Sequence, residues 1–324
     1  MVEASIGQRA YLHAITYLAR DTCAFEFRPV SGASLAPFTA GAHVELMLPN
    51  GVRRAYSLCN SQGETHRYVV GVKKASPSRG ASAYLHEQIR VGAEIDVGEP
   101  RNNFPLIETA AHSVLIAGGI GVTPIFGMLQ RLVSIGASWE LHYASRTRGD
   151  GAFLDELNAH ATRNPPRVRL AFDREPGGKL LDLAAIVAAA PPHSHFYACG
   201  PTPMLAAFEQ ATSALAAEQR HIERFTGGGE MPKAEDAGFE VVLARSNKSL
   251  QVPPGKPILD VLLDEGVDIA FSCMDGVCGS CKVGVLDGVP EHRDVVLTPA
   301  ERAENKWMMV CCSGAKSERL VLDL

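Results

Sequence analysis

Short runs in which apolar and polar residues alternate fill the first third of the chain, at residues 24–29, 43–48, 68–73 and 94–97. Turn-forming residues separate them, among them Pro49-Asn50-Gly51 and Val91-Gly92. Alternation puts every second side chain on one face of a strand, so this zone predicts a small antiparallel barrel or sandwich. One helix is expected at 81–89, with Ser82 at its start as an N-cap. From about residue 107 the pattern changes. Strand candidates at 114–117, 139–144, 168–172 and 195–199 alternate with helical stretches at 124–134, 151–161, 181–189 and 202–216. Such alternation predicts a parallel sheet with helices on both faces. Residues 226–237, with Gly227-Gly228-Gly229 and Pro232, predict a linker. Beyond it lie two strand candidates, 239–244 and 249–252, a helix at 257–265 and a cysteine-rich loop.

The expected organisation is therefore multidomain: an antiparallel β-barrel at 1–106, an α/β parallel-sheet domain at 107–225, the linker, and a small α+β domain at 238–324. With 324 residues, 46% of them hydrophobic and 21% charged, the chain can build several cores without disulfide staples. Its start has no basic segment followed by an apolar core, and the most apolar stretch, 113–129, is interrupted by four glycines and a proline. A cytoplasmic protein that neither spans nor rests on a membrane is expected, as a monomer. The net charge of −5 and the lack of a basic stripe argue against nucleic acid. All of that charge falls on one end: residues 236–324 hold 14 acidic and 9 basic side chains. Asp260, Asp264, Glu265, Asp268 and Asp275 lead into the cysteine loop and could steer a basic partner.

Of eight cysteines, Cys273, Cys278, Cys281, Cys311 and Cys312 lie in this last zone. The first three have the C-x4-C-x2-C spacing of plant-type [2Fe–2S] sites, and 29 residues separate Cys281 from Cys311. Gly276 and Gly279 let the loop wrap closely around a cluster. Zinc is the competing reading, although paired C-x2-C elements or histidines would be usual for it. Either Cys311 or Cys312 could be the fourth ligand. On an extended segment only one of them can face the cluster.

Two strand–turn–helix motifs mark the middle zone. Val114–Pro124 carries Gly118, Gly119 and Gly121, then Val122 and Thr123; Tyr197–Met204 carries Cys199, Gly200 and Pro201. Glycines permit close approach to a pyrophosphate, which the helix N-terminus favours. In the first zone Arg54-Ala55-Tyr56-Ser57 is followed by Gly71-Val72-Lys73 and by Arg79-Gly80-Ala81-Ser82. An arginine for a phosphate, an aromatic ring and a hydroxyl are what flavin binding requires.

In this order the motifs resemble the phthalate dioxygenase reductase and vanillate demethylase reductase family, a branch of the ferredoxin–NADP reductase superfamily with a C-terminal plant-type ferredoxin domain of β-grasp fold. The resemblance covers essentially the whole chain. It implies FMN on the barrel, held by Arg54, Ala55, Tyr56, Ser57, Gly71, Val72, Lys73, Gly80, Ala81 and Ser82, with Phe225 closing the site. It implies NADH bordered by Gly118, Gly119, Gly121, Val122, Thr123, Arg146, Cys199, Gly200 and Pro201, with Ser57 and Cys199 at the reacting end. Arg146 and Arg148 leave NADPH open, while Asp173 disfavours a 2′-phosphate. The family's spacing favours Cys311 beside Cys273, Cys278 and Cys281 as cluster ligands. The implied activity is transfer of electrons from NADH through flavin to the cluster and on to a Rieske-type aromatic oxygenase. A haem monooxygenase is the alternative acceptor, and a zinc-stabilised binding module the alternative without electron transfer.

Overall fold

A computed structural model describes residues 7–75, 80–161, 167–225, 232–233, 236–271, 274–276 and 279–324. The chain divides into two compact units, one spanning Ser5–Glu223 and the other containing Arg224–Leu324.

The first unit opens with β1 (Gln8–Ala19), β2 (Thr22–Pro29), β3 (His43–Met47), β4 (Arg53–Ser57), β5 (Tyr68–Lys73), α1 (Ala81–Glu87) and β6 (Glu94–Val97). The six strands form one antiparallel sheet in the order β4-β3-β6-β1-β2-β5. An antiparallel bridge between Leu58 and Val70 joins its two edges and closes it into a barrel. Leu12, Phe25, Phe27, Leu46, Val70 and Val97 fill the interior. Strand β1 is absent from the expected elements. Beyond Leu12 it turns Ile15 and Tyr17 outward, 41% and 72% exposed, so the apolar alternation that identifies the other strands fails along it. Ser82 is not the N-cap of α1. Gly80 occupies that position with φ 105°, and the Ser82 hydroxyl instead accepts a hydrogen bond from the Ala75 N–H.

The same unit continues with β7 (Ser113–Gly118), α2 (Val122–Ser134), β8 (Trp139–Ser145), α3 (Leu154–Ala161), β9 (Val168–Phe172), α4 (Leu183–Ala189), β10 (His195–Cys199), α5 (Thr202–Ala211) and β11 (Arg220–Glu223). The five strands are all parallel, in the order β11-β10-β7-β8-β9. Helix α5 stops five residues short of the expected end, and α3 and α4 begin late. Before α3, Phe153 sits at φ 59°; before α4, the Asp182 carboxylate caps the Ala185 N–H.

The second unit contains β12 (Phe239–Leu243), β13 (Lys248–Val252), α6 (Ile258–Asp264), β14 (Lys282–Asp287), β15 (Pro290–Glu291), α7 (Pro299–Ala303), β16 (Trp307–Met309), β17 (Gly314–Ala315) and β18 (Arg319–Leu322). A mixed sheet, β13-β12-β18-β14-β16, packs Val241, Leu250, Val283 and Leu320 against Leu259 and Leu262 of α6. Most of the predicted linker lies outside the described residues. At its end, Asp236 accepts hydrogen bonds from the Lys233 N–H and from the Arg293 guanidinium. Among the described residues no helix is long and apolar enough to cross a membrane.

Candidate functional site

Strands β7 and β10 are parallel neighbours, with Ala117 opposite Cys199, so their C-terminal turns emerge side by side. These turns pack closely against each other. A Cβ on Gly121 would lie 2.2 Å from the Cys199 carbonyl oxygen, one on Gly118 would lie 2.6 Å from Pro201 Cδ, and one on Gly200 would lie 3.1 Å from Gly118 Cα. Three of the four glycines are thus demanded by the fit of one turn against the other. Gly119 differs: its φ of +54° lies in the left-handed region, and a Cβ there would meet nothing within 4 Å. Open space lies above that residue, where α2 begins. Val122 and Thr123 are buried beneath it.

The barrel meets this turn directly. Gly71 on β5 has no side chain, and Thr123 Cγ2 comes within 2.5 Å of where its Cβ would be. Gly127 on the next turn of α2 approaches the Leu58 carbonyl, and Gln130 Nε2 donates to the Cys59 carbonyl at 2.6 Å. The Arg54–Ser57 segment and the Gly118–Thr123 turn are therefore brought to one place. Arg54, Ala55 and Tyr56 on β4 are half-buried, while Ser57 is buried. Val72 and Lys73 follow Gly71 on β5. Gly80, at φ +105°, leads into Ala81 and Ser82 with Val52 of the β3–β4 loop 3.3 Å from its Cβ position. Arg79 lies outside the described residues.

Sequence reading passed over one residue here. The Ser57 hydroxyl donates to Glu223 Oε2 at 3.4 Å, and Glu223 stands opposite Cys199 in the β10–β11 register. The available signal was a carboxylate at the carboxyl end of a strand in a parallel sheet, where ligands gather. Burial, reinforced by the negative charge of Glu223, pushes the Cys199 thiol well above its ordinary range. Cys199 therefore stays a neutral thiol at physiological pH and can neither attack nor take a proton as thiolate.

After β8, Arg146 is exposed and its carbonyl accepts from the Arg174 N–H. Arg148 lays its guanidinium over the Phe172 ring at 4.7 Å, and Asp173 is exposed beside it. Phe225, just past β11, is half-buried and belongs to the second unit.

In the second unit Cys273 and Cys278 lie outside the described residues. Cys281 and Cys311 are each 2% exposed. Contact with Cys281, then with Cys312, then burial, pushes the Cys311 thiol upward. Two buried thiols side by side form the start of a site for a group that takes thiolates. Gly276 and Gly279, at φ +69° and +76°, supply the loop curvature such a group needs. The premise that Cys311 and Cys312 lie on an extended segment is corrected: β16 ends at Met309, and both cysteines sit in the turn that follows. Cys312 Sγ instead packs against Gly276, 2.6 Å from its Cβ position. Part of the acidic run is less available than its sequence suggests, although Asp268 is exposed. Asp275 is only 3% exposed, Asp264 pairs with Lys256 and Glu265 with Lys248, each at 2.6 Å.

Comparison with known proteins agrees with this architecture. Residues 115–210 match the oxidoreductase NAD-binding domain, and residues 241–316 match the 2Fe-2S iron-sulfur cluster binding domain. The chain is 51% identical to the phenoxybenzoate dioxygenase subunit beta of Ectopseudomonas oleovorans, over 97% of this chain and 96% of that one. It is 49% identical to the tetrachlorobenzoquinone reductase of Sphingobium chlorophenolicum, over 96% of each. The structure of phthalate dioxygenase reductase, described as modular for electron transfer from pyridine nucleotides to [2Fe-2S], superposes with a TM-score of 0.83 at 37% identity, over 98% of this chain and 97% of that one. With an antiparallel barrel, a parallel nucleotide-domain sheet and a cluster-binding domain in that order, this chain is an oxidoreductase that belongs to the phthalate dioxygenase reductase family.

Proposed function

We propose that the protein is the reductase component of a two-component Rieske-type aromatic oxygenase, taking electrons from NADH and delivering them one at a time to the oxygenase. The observation that carries this reading is the convergence, within one unit, of Ser57 and Gly71 of the barrel with Thr123, Cys199 and Glu223 of the parallel sheet. On this reading residues 1–106 bind flavin, 107–225 bind the nicotinamide cofactor, 226–237 connect, and 238–324 hold the cluster. The matched spans 115–210 and 241–316 fall inside these limits.

When bound, FMN supplies the exchange between paired and single electrons that a hydride donor and an iron–sulfur cluster require. Arg54 would hold its phosphate, with Gly80, Ala81 and Ser82 lending backbone and hydroxyl contacts, and Tyr56 would pack on its ring. Ala55, Val72 and Lys73 would complete the surround. Ser57 would offer its hydroxyl to the ring edge, with its proton shared with Glu223. Gly119 leaves the room a nicotinamide cofactor needs, Val122 and Thr123 set the helix start beside it, and Gly200 and Pro201 form the opposite wall. Arg146 is placed to meet the adenosine end. Cys273, Cys278, Cys281 and Cys311 would hold the [2Fe–2S] cluster.

The test is spectroscopic and kinetic. Purified protein should show flavin and [2Fe–2S] absorption, release FMN on heating, and reduce the oxygenase component of the phenoxybenzoate dioxygenase system with NADH. A colourless protein, or one releasing only FAD, would overturn it. The 49% identity to a tetrachlorobenzoquinone reductase favours a second reading, direct reduction of a halogenated quinone. Turnover with that quinone but none with any oxygenase would select it.

A further inference from the structure

In the second unit a carboxylate is buried directly behind the cysteine loop. A Cβ on Gly276 would lie 3.1 Å from Asp294 Cα and 3.4 Å from Asp294 Cβ, and the Val295 N–H donates to the Gly276 carbonyl at 2.9 Å. Gly276 stands between Cys273 and Cys278 in the chain, so Asp294 backs the segment that would wrap the cluster. The Asp294 side chain is 0% exposed.

Local structure accounts for one oxygen of this carboxylate and not for the other. Oδ2 accepts from the Val296 N–H at 3.0 Å and from the Leu297 N–H at 2.8 Å. Oδ1 is buried and has no hydrogen-bond partner among the described residues. An amide oxygen would accept the same two bonds, so the turn does not itself require a charge, and burying a carboxylate is costly. Arg302 Nη2 stands 3.8 Å from Oδ2, and the same guanidinium donates to the Asp294 carbonyl. The Arg302 side chain is 36% exposed, so water screens its charge more than that of Asp294. Neighbouring Arg293 is engaged elsewhere, by Asp236 at 2.7 Å and by Glu291.

We propose that the Asp294 carboxylate sets the reduction potential of the cluster, holding it lower than the ligands alone would, with Arg302 offsetting part of its charge. The proposal rests on the cluster reading above. Reduction adds one electron to the cluster, and a fixed negative charge in a poorly screened interior opposes that electron. Net charge, hydrogen bonding and solvent exposure are the quantities that spread the potentials of such clusters. A lower potential makes the reduced cluster a stronger donor to its acceptor and shifts the sharing of electrons within the protein toward the flavin. Asp275, 3% exposed within the loop, adds to the same field, so the assignment to Asp294 is made by substitution.

The experiment follows the electron paramagnetic resonance signal of the reduced cluster against applied potential, in the full holoprotein and in Asp294→Asn, Arg302→Gln and Asp268→Asn. The asparagine oxygen still accepts from Val296 and Leu297, so the turn is kept while the charge is removed. Asp294→Asn should raise the ratio of reduced to oxidised cluster at the wild-type midpoint by roughly tenfold, which is about 59 mV for a one-electron couple. Arg302→Gln should lower that ratio by about threefold, less because its charge is partly screened. Asp268 is exposed, and Asp268→Asn should stay within about twofold. The g-values should match wild type in all three. A ratio for Asp294→Asn within about twofold of wild type overturns the proposal. So do shifts of the same sign in Asp294→Asn and Arg302→Gln, which would mean repacking and not charge. Changed g-values accompanying the shift would assign it to the ligands and overturn the proposal too. Should Asp294→Asn fail to fold, Arg302→Gln decides alone, and the lack of a downward shift sinks the idea. Wild-type protein with no such signal on reduction removes the cluster reading itself, and is recognised before any variant is compared.

Discussion

Substitution of Gly121 by alanine should unfold the nucleotide-domain sheet early, while a side chain at Gly119 should spare the fold and obstruct the cofactor. A Cβ at Gly121 would meet three backbone atoms at once: the Cys199 oxygen at 2.2 Å, its carbonyl carbon at 2.5 Å and the Gly200 nitrogen at 2.8 Å. None belongs to a flexible side chain, so the turns after β7 and β10 must separate. Overpacking of this kind costs about 3 kcal/mol, less about 0.4–1 kcal/mol regained because alanine restricts the unfolded chain. Gly121 already has an ordinary helical φ of −60°, so the whole penalty comes from the clash. Gly119 has positive φ and open space, so Gly119→Asn, a residue that tolerates the left-handed region, should cost less than about 1 kcal/mol. Trp139 on β8 is buried and reports on this sheet; Trp307 lies in the other unit, so a Trp307→Phe background isolates the signal. Urea unfolding followed at Trp139 should show a lower midpoint for Gly121→Ala and nearly none of that shift for Gly119→Asn. Gly119→Asn should instead raise KM for NADH. If Gly121→Ala unfolds with the wild type, the turns are not interlocked as described. If Gly119→Asn leaves KM unchanged, the space above Gly119 is not the cofactor's.

Three further outcomes are expected. Burial, aided by the charge of Arg101, lowers His43 from 6.5 to about 4. Its folded-state value lies below its unfolded value, so stability is intact above about pH 6.5 and falls by up to about 3 kcal/mol on acidification toward pH 4, and His43→Gln should flatten that limb in urea titrations at stepped pH. Cys278→Ser should abolish electron delivery through the cluster yet leave flavin reduction by NADH at its wild-type rate; a variant keeping the full iron–sulfur spectrum would reject that ligand. Catalytic efficiency should be higher with NADH than with NADPH, because Asp173 is exposed near Arg146 while Arg148 is engaged by Phe172; equal or better NADPH use would contradict it.

Periodic burial made most of the fold legible. Strands β7, β8 and β10 are nearly or fully buried and read as apolar runs, and β2, β3 and β5 mix buried with half-buried positions. Illegible elements lacked that pattern for identifiable reasons. Strand β1 shows Ile15 and Tyr17 to water, and β11 has four half-buried residues with no period to detect. Helix ends depended on caps and on unusual backbone, such as Asp182 before α4 and Phe153 at φ 59°, which composition does not announce.

The candidate site was legible as chemistry and illegible as packing. Gly118, Gly119, Gly121 and Gly200 stand out in the sequence because glycine runs after strands suggest a phosphate. Only the folded register divides their tasks: three fit one turn against the other, and one, Gly119, faces open space. The same limit hid Glu223. It is 166 residues from Ser57, and nothing local marks it until β11 pairs with β10 and sets it opposite Cys199. Charge counting met a similar limit. The carboxylates before the cysteine loop read as one patch in a one-dimensional sum, yet Glu265 and Asp264 pair with lysines 17 and 8 residues away by number and Asp275 folds inward, while Asp268 stays exposed. A net charge belongs to a segment of sequence, whereas a field belongs to the distances between charges, which arise only when Lys248 and Lys256 close on α6 and its C-terminal end. Because that run keeps Asp268 exposed while Asp264 and Glu265 are paired, salt dependence is the informative measurement on this protein: acceptor reduction steered by charge slows as salt rises, and reduction that is not steered does not.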